Sequence, residues 1–224
     1  MPSDDKSRGP TAEEVRSIKR DGAILIASSI VCMGVFTLLV HYDAIRLYPS
    51  TMSEEILKGF SARLEYALRY QTLLAFYLFV GISATIFGRL TRGALNPLDD
   101  RTENRIHRER FILANSFESI VLSVFSQLIF VSFATPACIL KCIPLINIIH
   151  FIGRIAYHIG YPLKRGFGYS ASIFPTAALN LYNLYKFFSF LGFYWVPKWK
   201  GCHPQQLTQD QPMDLVLVHG YEPE

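Results

Sequence analysis

Charge is scarce in this chain, and cysteine is scarcer. Of its 224 residues only 18% are Asp, Glu, Lys or Arg, and four are cysteine. A soluble domain carries about 25% charged residues and spaces its apolar ones at period 2 or 3.6. Four cysteines in a chain of this length make no disulfide framework. A field of one sign is missing too: 22 basic side chains stand against 18 acidic ones, and their signs alternate almost wherever they occur. A net charge of +4 spread in this way gives no basic stripe for nucleic acid. These shortages exclude an ordinary soluble enzyme, a disordered chain, a coiled coil and a disulfide-stapled secreted domain.

What the chain has is apolar length. Residues 23–40 and 70–88 are runs of 18 and 19 residues without a charge. Residues 111–140 are interrupted only by Glu118, 142–163 only by Arg154, and 166–185 not at all. A bilayer core about 30 Å thick needs about 20 helical residues, so each run is long enough to span. The expected fold class is all-α: a polytopic membrane protein with five transmembrane helices and the lipid bilayer as its main partner. A cleavable signal peptide is the competing reading, because Arg16 to Arg20 precede the first run, but 18 residues is long against a signal-peptide core of about 7–15 and no small-x-small site follows cleanly.

The connecting segments complete the organisation. Residues 1–22 mix both signs and read as a flexible cytosolic tail, followed by the first span at 23–40. Residues 41–69 read as a luminal loop, in which Thr51 and Glu54 have capping-box spacing. They would open an amphipathic helix, lying along the interface with Ile56, Phe60, Leu64 and Ala67 on one face. A four-helix domain at 70–195 and a flexible C-terminal tail at 196–224 follow. With the N-terminus cytosolic, thirteen Lys and Arg fall on the cytosolic side and seven on the other, which fixes the expected orientation.

Two charges inside the spans point to a site. Glu118 and Arg154 each cost about 2.5–3.5 kcal/mol within a bilayer unless partnered. They lie at similar depth on what read as antiparallel neighbours, so they are expected to pair. Asn115 and Glu118 share a face at i and i+3, as do Arg154, Tyr157 and Tyr161 at i, i+3 and i+7. His158 stands beside them, with Lys164, Arg165 and Tyr169 at the mouth. Carboxylate, amide, guanidinium and phenol groups suit an anionic, peptide-like ligand. An interhelical salt bridge with hydrogen-bond glue and no ligand fits the same residues. Elsewhere, Cys138 and Cys142 read as small apolar residues near the luminal end of the third span. A metal role with Cys202 and His203 is the sharper alternative, and no metal is expected. Asn180 and Asn183 read as interhelical or inter-subunit glue rather than an ion path, Ala84 and Gly88 as a small-residue packing pair, and Tyr182, Tyr185, Tyr194, Trp195 and Trp199 as part of an aromatic belt.

The stretch ERFILANSFES, followed by GRIAYHIGY, resembles the signature of the MAPEG superfamily, the membrane-associated proteins of eicosanoid and glutathione metabolism. Asn115 and Glu118 match its Asn-x-x-Glu, and Arg154, Tyr157 and Tyr161, with Gly160, match its Arg-x-x-Tyr-x-x-x-Tyr. The resemblance covers about residues 70–195. The extra N-terminal span and the Ala-Leu-Asn-Pro-Leu segment at 94–98 are most similar to the mattrin-like branch. It implies a four-helix bundle, glutathione as ligand at those five residues, a homotrimer and a lipid-like ligand. It also implies residence in endomembranes (ER, lysosome or secretory vesicles) and a role in vesicle function and barrier formation.

Departures from the pattern bear on activity. Catalytic members carry an arginine seven to nine residues after the last tyrosine, where this chain has Gly168, Tyr169 and Ser170. Another, four residues before the asparagine, is replaced by Phe111, with Arg110 one step away. Arg165, in a glycine-rich loop, is the one candidate for the catalytic charge. The expectation is a non-catalytic protein, and the alternative is a glutathione-dependent transferase or peroxidase acting on lipid electrophiles. A small transporter using Glu118 and Arg154 lacks the broken helices and internal repeats such folds show.

Overall fold

The computed structural model describes residues 12–93 and 106–191. Five long helices make up nearly all of it: α1 (Ala12–His41), α2 (Phe60–Arg92), α3 (His107–Phe133), α4 (Pro136–Gly160) and α5 (Gly166–Phe190). No strand occurs among the described residues, and the all-α polytopic class holds. Four of the helices, α1 to α4, are long and apolar enough to cross a membrane. The fifth has the length of α4 but is less apolar, because Ser170, Ser172, Thr176, Asn180 and Asn183 lie along it.

Several boundaries differ from those read in the sequence. Residues 12–22, assigned to a flexible tail, are helical and continue into the first span. The segment between α1 and α2 holds a single 3-10 turn at Ile56–Lys58 rather than an amphipathic helix opened at Thr51. Residues 60–69 instead form the first turns of one continuous α2 of 33 residues, about 50 Å long. The third reversal comes at Ala134 and Thr135, not at Lys141. Pro136 cannot extend α3, since it lacks an N–H and disfavours helical backbone before it. Thr135 then caps α4, its hydroxyl accepting from the Cys138 N–H at 3.4 Å. Cys138 and Cys142 are therefore on the first turns of α4. Residues 1–11, 94–105 and 192–224, with the 94–98 segment, Tyr194, Trp195, Trp199, Cys202 and His203, lie outside the described residues.

The end of the bundle near Thr135 is closed by apolar packing and by an arginine clamp. Leu57, Tyr66, Phe130, Val131, Ile139 and Ile143 belong to one buried cluster there. Arg63 donates to the carbonyls of Leu57 at 2.7 Å, Lys58 at 3.1 Å and Ala134 at 3.2 Å, tying the 3-10 turn to the end of α3. At the opposite end Arg92 pairs with Glu109 at 2.8 Å and joins α2 to α3.

The first helix docks on α4 and α5. Ser29 and Ser170 are hydrogen-bonded at 2.8 Å, and Val40 packs with Leu145 and Ile149. Beyond α1, Lys141 pairs with Asp43 at 2.8 Å and donates to the His41 carbonyl at 3.2 Å. Asp43 adopts a left-handed φ of 57°, which aspartate and asparagine tolerate better than most residues.

Helices α4 and α5 make the closest crossing. A Cβ on Gly168 would stand 2.1 Å from the Tyr157 backbone nitrogen and 2.5 Å from the Gly153 carbonyl oxygen. A Cβ on Gly153 would meet the Ser172 nitrogen at 3.0 Å. Two glycines thus let backbone touch backbone, the usual route to tight packing where lipid supplies no hydrophobic drive between helices.

Two outcomes are expected. Gly168→Ala should destabilise the detergent-solubilised protein by about 3 kcal/mol or more in thermal unfolding, because only a helix shift makes room. Gly34→Ala, at a position with open space around it, should stay within about 0.5 kcal/mol. The Lys141 hydrogen bond holds the Asp43 carboxyl below the usual carboxylate range. A lowered folded-state value makes this contact stabilising at neutral pH and removes it as pH falls through that value. Asp43→Asn, which keeps the left-handed turn, should flatten the low-pH limb of the melting-temperature profile and leave a small loss at pH 7.

Candidate functional site

Arg154 is the largest fully buried side chain, at 0% exposure. The Gly153–Gly168 crossing brings α5 close enough for Ser172 to accept a hydrogen bond from its guanidinium. From α3, Asn115 Oδ1 accepts from Nη1 and Ser119 Oγ from Nη2, each at 2.9 Å. The Tyr157 ring, 1% exposed, lies 5.2 Å from the guanidinium carbon. Nε has no partner. A buried cation is thus held by an amide and two hydroxyls from two neighbouring helices, with no carboxylate among the described partners.

The expected ion pair with Glu118 does not form. Glu118 is exposed and makes no hydrogen bond or ion pair among the described residues. Residues 115 and 119 are one turn apart and face inward. Glu118, offset from Ser119 by about 100°, falls on the outer face, beside exposed Phe117 and Leu122. An i, i+3 spacing defines a common face only to within about 60°, and here that margin decides.

Of the other expected site residues, Tyr157 and Tyr161 stand together, ring centroids 6.1 Å apart, with Tyr169 6.4 Å from Tyr157. Arg165 sits above them, its guanidinium carbon 5.7 Å from the Tyr161 ring and 5.9 Å from the Phe111 ring. Asn115, Arg154, Tyr157, Tyr161 and Arg165 are therefore gathered at one end of the bundle, and Glu118 is not. His158 and Lys164 are exposed at this end, and the His158 carbonyl accepts from Arg108 at 3.4 Å.

Below Arg154 the polar groups continue. Ser119 and buried His150 Nε2 are 3.3 Å apart, so a serine hydroxyl that accepts from Arg154 can donate to the imidazole. Deeper, Asn147 donates to Gln127 Oε1 at 2.7 Å and Gln127 to Ser123 at 3.1 Å. Asn183 donates to the Ser126 carbonyl at 2.8 Å, an interhelical bond, whereas Asn180 bonds within α5 to Thr176. Ser119, Ser172 and His150 were not singled out in the sequence. For Ser119 the signal was the row Ser116, Ser119, Ser123 and Ser126, small polar residues at three- and four-residue steps on one helix face. No group of three or more possible metal ligands occurs among the described residues.

Removing Arg154 as Arg154→Met should cost about 2–4 kcal/mol, by stranding Asn115, Ser119 and Ser172. Glu118→Gln, which removes no contact within the chain and keeps a polar group on the outer face, should change the stability of the single chain little. Since the two side chains share no contact, their effects should add in the double variant within about 0.5 kcal/mol. A coupling above 1 kcal/mol, measured by thermal unfolding in detergent, would restore the salt bridge.

No family model and no solved structure matches the chain. Two relatives do. The chain is 31% identical over 180 residues to transmembrane protein 79 of Bos taurus, across 79% of this chain and 42% of the relative. It is 29% identical over 170 residues to transmembrane protein 79 of Mus musculus, across 74% of this chain and 42% of the relative. The chain thus spans less than half the length of these relatives. Its apolar helices and these homologues together make it an integral, multi-pass membrane protein similar to transmembrane protein 79.

Proposed function

We propose that the chain is a mattrin-like member of the MAPEG superfamily, a non-catalytic homotrimer of endomembranes that serves secretory or lysosome-related vesicle function and barrier formation. The observation that carries the non-catalytic reading is Gly168. Chemistry on glutathione needs its thiol, near pH 8.5 when free, to ionise beside a positive charge. At Gly168, one of the positions where that charge would stand, there is no space for a Cβ, let alone a guanidinium. Arg154 is already held by the chain's own hydroxyls and amide. A ligand would have to displace Tyr157 to reach it.

Assembly is supported by Glu118. A carboxylate on the outer face of α3, among exposed phenylalanines, is costly against lipid and calls for a polar partner on a neighbouring copy. The N-in orientation rests on thirteen basic residues against seven.

The alternative, a glutathione-dependent transferase or peroxidase acting on lipid electrophiles, is favoured by one observation. Arg165 lies over the ring of Tyr161, which itself stands against Tyr157. Glutathione would then bind between Arg165 and the tyrosines, with Asn115 nearby. Purified protein should give no conjugation of glutathione to a generic electrophile above the uncatalysed rate. It should also show a melting-temperature rise below about 2 °C at millimolar glutathione. Robust turnover that disappears in Arg165→Ala would establish the enzyme reading instead.

A further inference from the structure

Helix α4 carries a buried proline in its interior, Pro144. Proline has no N–H, so the carbonyl four residues back, at Leu140, loses its helical partner. Leu140 is 5% exposed and lies in a helix apolar enough to span a membrane, where a bare carbonyl has no water to turn to. The Tyr66 hydroxyl of α2 donates to that carbonyl at 2.9 Å.

A phenol has one proton to donate, and carbonyls inside a helix already accept from the amide four residues on. The Tyr66 proton goes to the carbonyl that Pro144 leaves without such an amide. The peptide bond entering the proline is held from another helix. Its Ile143 carbonyl accepts from Asn147 Nδ2 at 2.8 Å, and the same nitrogen donates to Gln127 Oε1 of α3 at 2.7 Å.

We infer that Pro144 is a hinge in α4 and that the Tyr66 hydroxyl holds it closed. A proline ring crowds the i−4 carbonyl and removes one bond of the ladder, which is the usual origin of a bend in a helix. The segment on the far side of the hinge, 136–143, is two turns or about 12 Å long. It carries Lys141, whose contacts with Asp43 and the His41 carbonyl fasten the end of α1. With Tyr66 engaged, the segment stays packed in the cluster that Tyr66 shares with Ile139 and Ile143. With Tyr66 released, the Leu140 carbonyl must turn away to find a donor, and the attachment of α1 moves with it. One hydroxyl of α2 thus sets the course of α4 and the seating of α1. The hinge is ten residues from Arg154 and does not depend on the reading of that centre.

The reporters are native. Cys138 and Cys142 lie on this segment, partly buried against the same cluster. In the full chain purified in detergent, N-ethylmaleimide labelling followed by peptide mass spectrometry gives their rates, with exposed Cys32 on α1 as internal reference. Tyr66→Phe should label both about tenfold faster than the parent, the effect of one lost hydrogen bond to a buried carbonyl. Pro144→Ala restores the helical amide and should label them several-fold more slowly than the parent. Tyr66→Phe added to Pro144→Ala should then change the rate less than twofold. The Pro144→Ala result stands even if Tyr66→Phe alone misfolds. Equal rates in the parent and Tyr66→Phe, the same acceleration by Tyr66→Phe in both backgrounds, or labelling of Pro144→Ala as fast as the parent would each overturn the hinge.

Discussion

A guanidinium inside a membrane-spanning bundle sets the terms for everything around it. Arg154 cannot be left to lipid, and it is not given a carboxylate. Its charge is spread over the Asn115 amide, the hydroxyls of Ser119 and Ser172 and the face of Tyr157. Those groups come from three helices, so α3, α4 and α5 must meet at one level and in one rotation. The glycine pair follows from that demand, since only backbone contact at Gly153 and Gly168 brings the short side chain of Ser172 within reach.

The bundle is graded along its axis. At the Arg165 end the interior is aromatic and basic, in the middle it is a ladder of hydroxyls and amides, and at the Thr135 end it is aliphatic. Each zone holds helices together by a different force: aromatic and cation contacts, hydrogen bonds, then dispersion. Helix α1 contributes little to this interior. It clasps α4 and α5 from outside through one serine pair in its middle and through the Lys141 contacts at its end.

The helix class and the membrane were legible from the charge-free runs, because length and apolarity are all that a bilayer asks of a helix. Boundaries were less so. A Thr-Pro reversal inside an uncharged run leaves no trace in a charge count, so the α3–α4 turn was displaced toward Lys141. Asn115, Arg154, Tyr157, Tyr161 and Arg165 were gathered as their spacings implied. Glu118 was not, because two residues on one nominal helix face need not both point inward when the neighbouring helix is close. Ser119 and Ser172 escaped notice for a related reason. A serine is chemically quiet in sequence and becomes a partner only when a glycine crossing carries it to the cation.

The central claim is that Arg154 is a closed structural hub and not an open ligand cradle. Arginine-selective dicarbonyl labelling of the membrane-embedded protein, mapped by peptide mass spectrometry, addresses that directly. The account predicts that exposed Arg165 is modified and that Arg154 stays unmodified, with or without glutathione. Rapid modification of Arg154 in the free protein, with protection by glutathione, would contradict it.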